Sequence, residues 1–283
     1  MQIIDLRVYP VKSFGGLSVP AATVHPWGLA GDRRWAVTGP DGEVLTARDL
    51  PGMLAISAEA REDGGVLLRA AGSPDLAVPP PAGGPPAAIR LRGLDRAVDA
   101  GTTAAAWVSA AVGRPARLVW LDDPRRRPMS EEHGGRPGDT FVLQDDAPLL
   151  LTTAASLDRL SAWIAEEAAL RGEDEPGPLA GIRFRPNVVV DGTEPFAEDS
   201  WTRVRLGDTW FRFAERCDRC TMTTVDPATY RKGKEPIRTL SRHRKQDGKV
   251  WFGIRLVPEA PGELRVGDEV AAGVHPTGTA TAG

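Results

Sequence analysis

The sequence predicts a mainly β protein with a few helices (α+β), built as two β-barrel-like units. Short runs rich in Val, Leu, Ile and Thr recur along the chain, separated by turn residues. Its 283 residues include 31 glycines and 25 prolines, a density of breakers that favours short elements over long helices. Only two or three segments carry helical periodicity, and no internal repeat is apparent. The length suits one large domain or two modest ones.

The elements follow in order. Residues 1–8 read as a strand that Pro10 and the Gly15-Gly16 pair interrupt. Arg34–Thr38 and Glu43–Thr46 flank Gly39-Pro40-Asp41-Gly42, a hairpin signal in which Pro and Gly set the turn. Gly65–Arg69 and Ala88–Arg92 read as strands, and Val78–Pro86 between them as a loop. Thr102 or Thr103 can cap a helix through Val112 that Gly113 closes. A strand at Ala116–Leu121 precedes a polar, mobile-looking loop from Asp122 to Gly138, then strands at Phe141–Leu143 and Leu149–Thr152. The clearest helix places Leu157, Leu160, Ile164 and Ala168 on one face, with Arg159 and Glu166 outward, and ends near Gly172. Strands at Asn187–Val190, Arg203–Leu206, Thr209–Phe213 and Trp251–Leu256 complete the chain, with Gly207-Asp208 as a second hairpin turn. The predicted units are 1–121 and 122–273, followed by a disordered tail at 274–283.

The formal net charge is −3, which excludes a generally polyanion-binding chain. Basic residues nevertheless cluster from Arg231 to Lys249 and at Arg125–Arg127. Such runs read as solvated loops or as an attraction for a phosphate-bearing ligand or an acidic protein. Nucleic acid fits less well, because few aromatics interleave the basic residues. No secretory leader or apolar run of membrane-spanning length is visible, and two cysteines without a leader fit a reducing cytoplasm.

Both cysteines lie in Cys217-Asp218-Arg219-Cys220, followed by Thr221-Met222-Thr223-Thr224-Val225-Asp226-Pro227. Arg216 and Arg219 beside them favour a thiolate, which suits a soft metal or redox chemistry. A thioredoxin-like reading wants a βαβ context that is missing here. Structural zinc wants four ligands, and His25, His133, His243 and His275 are scattered singly. Two thiols are too few for an iron–sulfur cluster. Spacing alone leaves two inert cysteines and a functional thiolate both open.

Other segments carry weaker signals. Tyr9-Pro10-Val11-Lys12-Ser13 puts a Lys and a Ser at a strand end. Asp32-Arg33 offers an anion fork or a surface ion pair. Alternation along Arg183–Asn187 sets Arg183, Arg185 and Asn187 on one strand face, suited to a planar phosphorylated heterocycle. Taken together with Pro195–Trp201, Phe252-Gly253 and the Cys-Asp-Arg-Cys-Thr-Met-Thr-Thr-Val-Asp-Pro run, these motifs resemble the MOSC-domain family. The likeness is to the branch of the mitochondrial amidoxime reducing component and its bacterial relatives, and runs from residue 1 to about 271.

That resemblance implies a MOSC N-terminal β-barrel domain, a MOSC domain and a molybdenum–pterin cofactor. Cys220 becomes the thiolate ligand to molybdenum and the catalytic residue, with Cys217 a neighbour. Lys12, Ser13, Arg33, Arg185 and Asn187 become binders of the phosphate and pterin, and Asp218 and Arg219 hold the turn beside the metal. Asp218 stands where relatives often have Ser, and Arg255 where some carry Tyr near the cofactor. Glu198-Asp199 reads as structural rather than as an acid/base dyad. The implied activity is reduction of N-hydroxylated compounds (amidoximes, hydroxamic acids, N-hydroxylated bases) by oxygen-atom transfer at a Cys-ligated molybdenum. A separate flavoprotein or ferredoxin-type carrier is expected to donate electrons, docking at 231–249 or Arg125–Arg127. The alternatives are a non-catalytic cofactor or sulfur carrier, like the C-terminal region of molybdenum cofactor sulfurases, and a metal-free binding module.

Overall fold

A computed structural model describes residues 1–174, 176–192 and 194–274. The chain is mainly β, with three α-helices among the described residues. Its largest sheet runs, edge to edge, Val270–Val274, Trp201–Leu206, Thr209–Asp218, Lys249–Pro258, Leu149–Thr153, Val188–Val190, Ile3–Val8, Leu17–Ser18, with Lys245–Gln246 paired to Lys249–Pro258. Among the described strands of this sheet, only Leu149–Thr153 and Val188–Val190 pair in parallel. Parallel neighbours need a crossover, and helix Ala154–Leu170 supplies it. Thr153 caps that helix by accepting from Ser156 N.

A four-stranded sheet orders Trp35–Thr38, Arg117–Trp120, Leu94–Asp99, Pro86–Leu91. Three-stranded sheets join Ser57–Ala60, Val66–Arg69 and Leu76–Val78, and Gly262–Arg265, Ala21–His25 and Gly28–Leu29. The first strand pairs with Val188–Val190, and Ala21–His25 pairs with Gly262–Arg265, so the opening segment of the predicted N-terminal unit lies in sheets completed by the C-terminal one. Residues 9–34 are thereby carried along the junction between the largest core, around Leu6, Leu151 and Ile254, and a second core around Phe14, Trp35 and Leu118.

Several expectations are corrected. The helix Thr102–Val112 starts after Gly101, and neither threonine caps it through its side chain. After the Gly39–Gly42 turn the predicted second hairpin arm makes only isolated bridges, because Glu43 turns to Arg90. The Asp122–Gly138 segment is an ordered connection with two 3₁₀ turns. Within it Arg127 is fully buried, its guanidinium donating to the carbonyls of Arg92, Val142, Gln144 and Asp145 over the Phe141 ring. Phe141–Leu143 is buried but is no strand. Arg127 and Lys12 donate to its carbonyls, Val142 N donates to Gln144 Oε1 and Leu143 N to Arg33 O. Side chains and isolated backbone carbonyls here take the place of a partner strand. Val274 closes the last strand, and the rest of the predicted tail lies outside the described residues.

Candidate functional site

Strand Thr209–Asp218 runs directly into the cysteine turn. Opposite it, Arg216 faces Ile254 and Asp218 faces Trp251, so the partner strand carries one extra residue. Gly253 sits in this bulge with φ +75°, and a β-carbon there would meet Leu151 O at 2.7 Å. The bulge redirects the chain at Cys217, which is buried, and leaves Cys220 exposed at the head of the Thr221–Thr224 turn. Arg219 ties that turn down, its guanidinium donating to Cys217 Sγ at 2.7 Å and to Phe184 O at 2.7 Å, while Thr223 N and Oγ1 donate to Cys220 O.

A cleft of about 870 Å³ of free space, partly open to solvent, is lined by Lys12, Ser13, Arg33, Arg185, Asn187, Asp218, Arg219, Cys220 and Arg255. Every residue singled out in the sequence as a metal or cofactor ligand is therefore on one cavity wall. Seven cationic side chains line it against three carboxylates, an imbalance that favours an anionic occupant. Thr46, Arg48, Gln144 and Arg183 also line it and were not among the sequence-selected ligands. Arg183 had a signal in its alternation with Arg185 and Asn187, whereas the sole signal of Thr46, Arg48 and Gln144 was residue type, which on an irregular segment carries no position.

Tyr9 organises the floor. Its fully buried ring lies under both Arg33 and Arg185, with guanidinium carbons 4.3 and 4.2 Å from its centroid, and its hydroxyl donates to Pro186 O at 3.0 Å. Burial pushes the Tyr9 phenol up, which keeps it neutral. The Asp32–Arg33 pair is no surface ion pair: Asp32 is inaccessible and accepts from Arg33 Nη1 at 2.7 Å, Tyr9 N and Gln144 Nε2.

Arg183, Arg185 and Asn187 do not alternate on one strand as predicted. Gly181–Phe184 is a 3₁₀ turn and Arg185 is left-handed (φ 55°), yet all three side chains reach the cleft. Asn187 is committed internally. Its Oδ1 accepts from Arg33 Nη1 and Leu150 N and its Nδ2 donates to Arg7 O, so it positions Arg33 more than it presents a free amide. Ser13 (φ 68°) and Arg33 (φ 43°) are also left-handed. Non-glycine residues held there are strained, and such strain gathers at functional sites.

Lys12 is buried and donates to Leu143 O and Asp145. Burial pulls its ammonium down, with Asp145 opposing, while Lys12 holds the Asp145 carboxyl well below the usual range. Asp145 is 71% exposed, so water screens this pair and it adds little stability. Burial, then the neighbouring Arg33, brings Arg185 down to about 10. Among the described residues Arg185 forms no ion pair with a carboxylate: Nη1 donates to Phe14 O, and Nη2 is buried without a partner. Arg183 Nε and Arg219 Nε are likewise orphaned. Buried donors without acceptors are costly, and the three side chains that carry them all line one cavity.

Asp218 and Arg255, the two departures seen in the sequence, form one ion pair at 2.9 Å. Arg255 also holds Glu215 and Asp146, and Glu215 accepts from His133, a buried side chain that the sequence reading left unassigned. Glu198 is buried, accepting from Ser156 and Thr153 beside the helix start, and Asp199 pairs with Arg244. The Arg125–Arg127 cluster is not a free basic patch: Arg125 pairs with Asp123, Arg126 with Asp122, and Arg127 is interior. In the 231–249 run, Arg238, Arg242 and Arg244 are paired, whereas Arg231, Lys232 and Lys234 line a shallow concavity that shares Arg183 with the cleft.

Comparison with known proteins gives two family matches, the MOSC N-terminal beta barrel domain over residues 1–115 and the MOSC domain over residues 134–271. Mitochondrial amidoxime-reducing component 1 of Mus musculus is 36% identical, over 95% of this chain and 81% of that protein. The Homo sapiens counterpart is 34% identical, over 95% and 82%. Molybdenum cofactor sulfurase of Danio rerio is 31% identical over 91% of this chain, which spans 32% of that longer protein.

Proposed function

Because the chain belongs to the MOSC-domain family and is related to the amidoxime-reducing components, we propose that it is a molybdenum-cofactor-dependent oxidoreductase that removes the hydroxyl oxygen from N-hydroxylated compounds. The observation that carries this reading is the exposed Cys220 at the lip of a cleft whose buried arginine donors lack acceptors. Such a donor set fits a phosphorylated heterocycle, since guanidinium groups recognise phosphate oxygens in paired fashion.

Lys12, Ser13, Arg33 and Arg185 would hold the anionic end, and Arg219 would keep the cysteine turn in place. Asn187 would act through Arg33, whose orientation it sets. Cys220 would be the protein's ligand to molybdenum. Among the described residues no group of three or more His, Cys, Asp or Glu side chains is arranged to hold a metal, so the remaining ligands would come from the cofactor itself. The bound cofactor would supply oxygen-atom transfer and the two electrons, and the protein would supply orientation and electrostatics. The net change converts N–OH to N–H and water, and takes up two protons and two electrons. Arg255 pairs with Asp218 and so offsets part of the repulsion that the carboxylate next to the thiolate would exert on an anionic ligand.

Electrons would come from a separate donor protein, for which the Arg231, Lys232 and Lys234 concavity beside the cleft is a docking surface suited to acidic partners. The similarity to the sulfurase supports a second reading, a cofactor or sulfur carrier without turnover.

The test is metal and pterin content in protein made by a cofactor-competent host. Near-stoichiometric molybdenum is expected in wild type, loss of it in Cys220→Ala with the fold intact, and only mild effects in Cys217→Ala. Reversal of the two variants would overturn the ligand assignment. Loaded protein that reduces no N-hydroxylated compound with a chemical reductant would favour the carrier.

A further inference from the structure

The seven cations on the cleft wall are not equivalent. Lys12, Arg33 and Arg183 are paired with Asp145, Asp32 and Asp226, and Arg255 with its carboxylates. Arg185 and Arg219 donate to the carbonyls of Phe14 and Phe184. The seventh is Arg48. It is exposed, and among the described residues its guanidinium has no carboxylate, carbonyl or aromatic ring as a partner.

The backbone beneath Arg48 is fixed all the same. Leu45 and Ala47 are buried in the second core, and Leu45 N donates to Val37 O. Residues 47–49 form a turn that the bond from Leu50 N to Thr46 O closes. Asp49, the carboxylate next in the chain, accepts from Thr46 Oγ1 at 3.0 Å and not from Arg48. Thr46 and Arg48, on either side of buried Ala47, both reach the cleft. Met222, two residues beyond Cys220, packs against the same core as Ala47. A free cation therefore stands on a rigid base, on the wall of a cavity that Cys220 also lines.

We propose that Arg48 is a capture residue, which draws the phosphate of the cleft's ligand in from solvent and passes it to Lys12, Arg33 and Arg185. The inference rests on the reading that the cleft takes a phosphorylated heterocycle, and adds the residue that governs how fast it enters. The six committed cations are in place before a ligand arrives, whereas an exposed, unpaired guanidinium meets an approaching anion first. A cleft lined mainly by one sign of charge focuses the field and raises association rates. A charge at the rim alters the association rate and its salt dependence more than the strength of the finished complex. Such steering needs the charge and not the guanidinium fork, so lysine at position 48 serves equally. Salt screens it, because the Debye length shrinks from about 10 Å at 0.1 M to about 3 Å at 1 M.

Two measurements on cofactor-free protein test this, with Arg48→Ala, Arg48→Lys and Arg48→Glu beside wild type. The first compares alkylation of Cys220 by anionic iodoacetate and neutral iodoacetamide, with the modified residue located by peptide mass. The neutral reagent reports any change in the exposure of the thiol, so the ratio of the two rates isolates charge. That ratio is expected to fall about threefold in Arg48→Ala and further in Arg48→Glu. Arg48→Lys should keep it, and all four proteins should converge at 1 M salt. The second follows molybdopterin, released from a molybdenum enzyme, as it binds and as it leaves. Association should slow at least about threefold in Arg48→Ala, with dissociation within about twofold of wild type. An association rate that Arg48→Ala and Arg48→Glu leave unchanged would overturn the proposal. So would faster dissociation as the main effect, which would make Arg48 an ordinary contact of the finished complex. Wild type that binds no molybdopterin, with the charge dependence of Cys220 alkylation intact, would keep the capture of anions by Arg48 and sink the cofactor reading.

Discussion

Arg255 gathers three carboxylates, Glu215, Asp218 and Asp146, at 2.5–2.9 Å, and none of the three has another arginine of comparable burial. Removing the cation leaves Asp218 without its ion pair and Glu215 and Asp146 with only His133 and the more exposed Arg92, whereas removing one carboxylate leaves the cation two partners. Arg255→Leu is expected to destabilise by about 3 kcal/mol, and Asp218→Ser by less than about 1 kcal/mol because Asp218 is 40% exposed and screened. Urea denaturation of both variants checks this, and equal losses would show that the pair is not organised around the arginine. Glu198 gives a pH dependence of known sign. Burial raises its carboxyl above the ordinary value of 4.5, so the folded state holds its proton more tightly than the unfolded chain. The stability this contributes is complete below pH 4.5 and is lost as pH rises through the raised value. Glu198→Gln cannot titrate. Its stability should therefore rise relative to wild type between pH 4 and 7, and a pH-independent difference in Tm would contradict the assignment.

At the scale of elements, the cysteine turn depends on the bulge opposite it. Gly253→Ala would bring a β-carbon to 2.7 Å from Leu151 O in a left-handed conformation, at a cost of about 1–3 kcal/mol. The expected outcome is a lower Tm together with metal loading reduced well beyond what that loss predicts, since the register that aims Cys217 and Asp218 changes. A drop in Tm with full loading would separate the bulge from the site. Phe252-Gly253 was visible in the sequence, but only the register explains why glycine stands there. The same contrast runs through the fold. The crossover helix was legible because Leu160, Ile164 and Ala168 are periodic and all buried. The second hairpin was legible because Gly207-Asp208 links strands of alternating burial. Ser13, Arg33 and Arg185 gave no sign of left-handed backbone, since no residue type in them demands it. Phe141–Leu143 looked like a strand because apolar runs specify burial, and nothing local shows that Arg127, Lys12 and Gln144 will satisfy its backbone. The site residues were legible as motifs, and their shared cavity only once distant segments met.

Across the whole molecule, the cleft is a junction. Lys12, Ser13 and Arg33 come from the segment that leaves the first strand of the largest sheet for Trp35 of the four-stranded sheet, and Arg185 and Cys220 come from the C-terminal half. A ligand that bridges them binds the native state and has no equivalent site in the unfolded chain. Ligand saturation at a hundred times Kd then stabilises the fold by about 2.7 kcal/mol. Because both halves supply donors, that gain has to appear as one cooperative transition moved to higher temperature. Calorimetry of cofactor-loaded against cofactor-free protein is expected to show a single endotherm in both, higher in the loaded form, with the difference abolished in Arg33→Ala. Lys12 and Arg185 add a condition on pH. Both are held down by burial, Arg185 to about 10, and an anion favours their charged forms, so the ligand-induced rise in Tm should be complete below that pH and fade as pH rises above about 10. A loaded protein that melts in two steps, with only the later step shifted, would mean that the C-terminal half binds the ligand alone. The arginine pair over Tyr9 would then be a structural joint between the sheets, with no part in holding the cofactor.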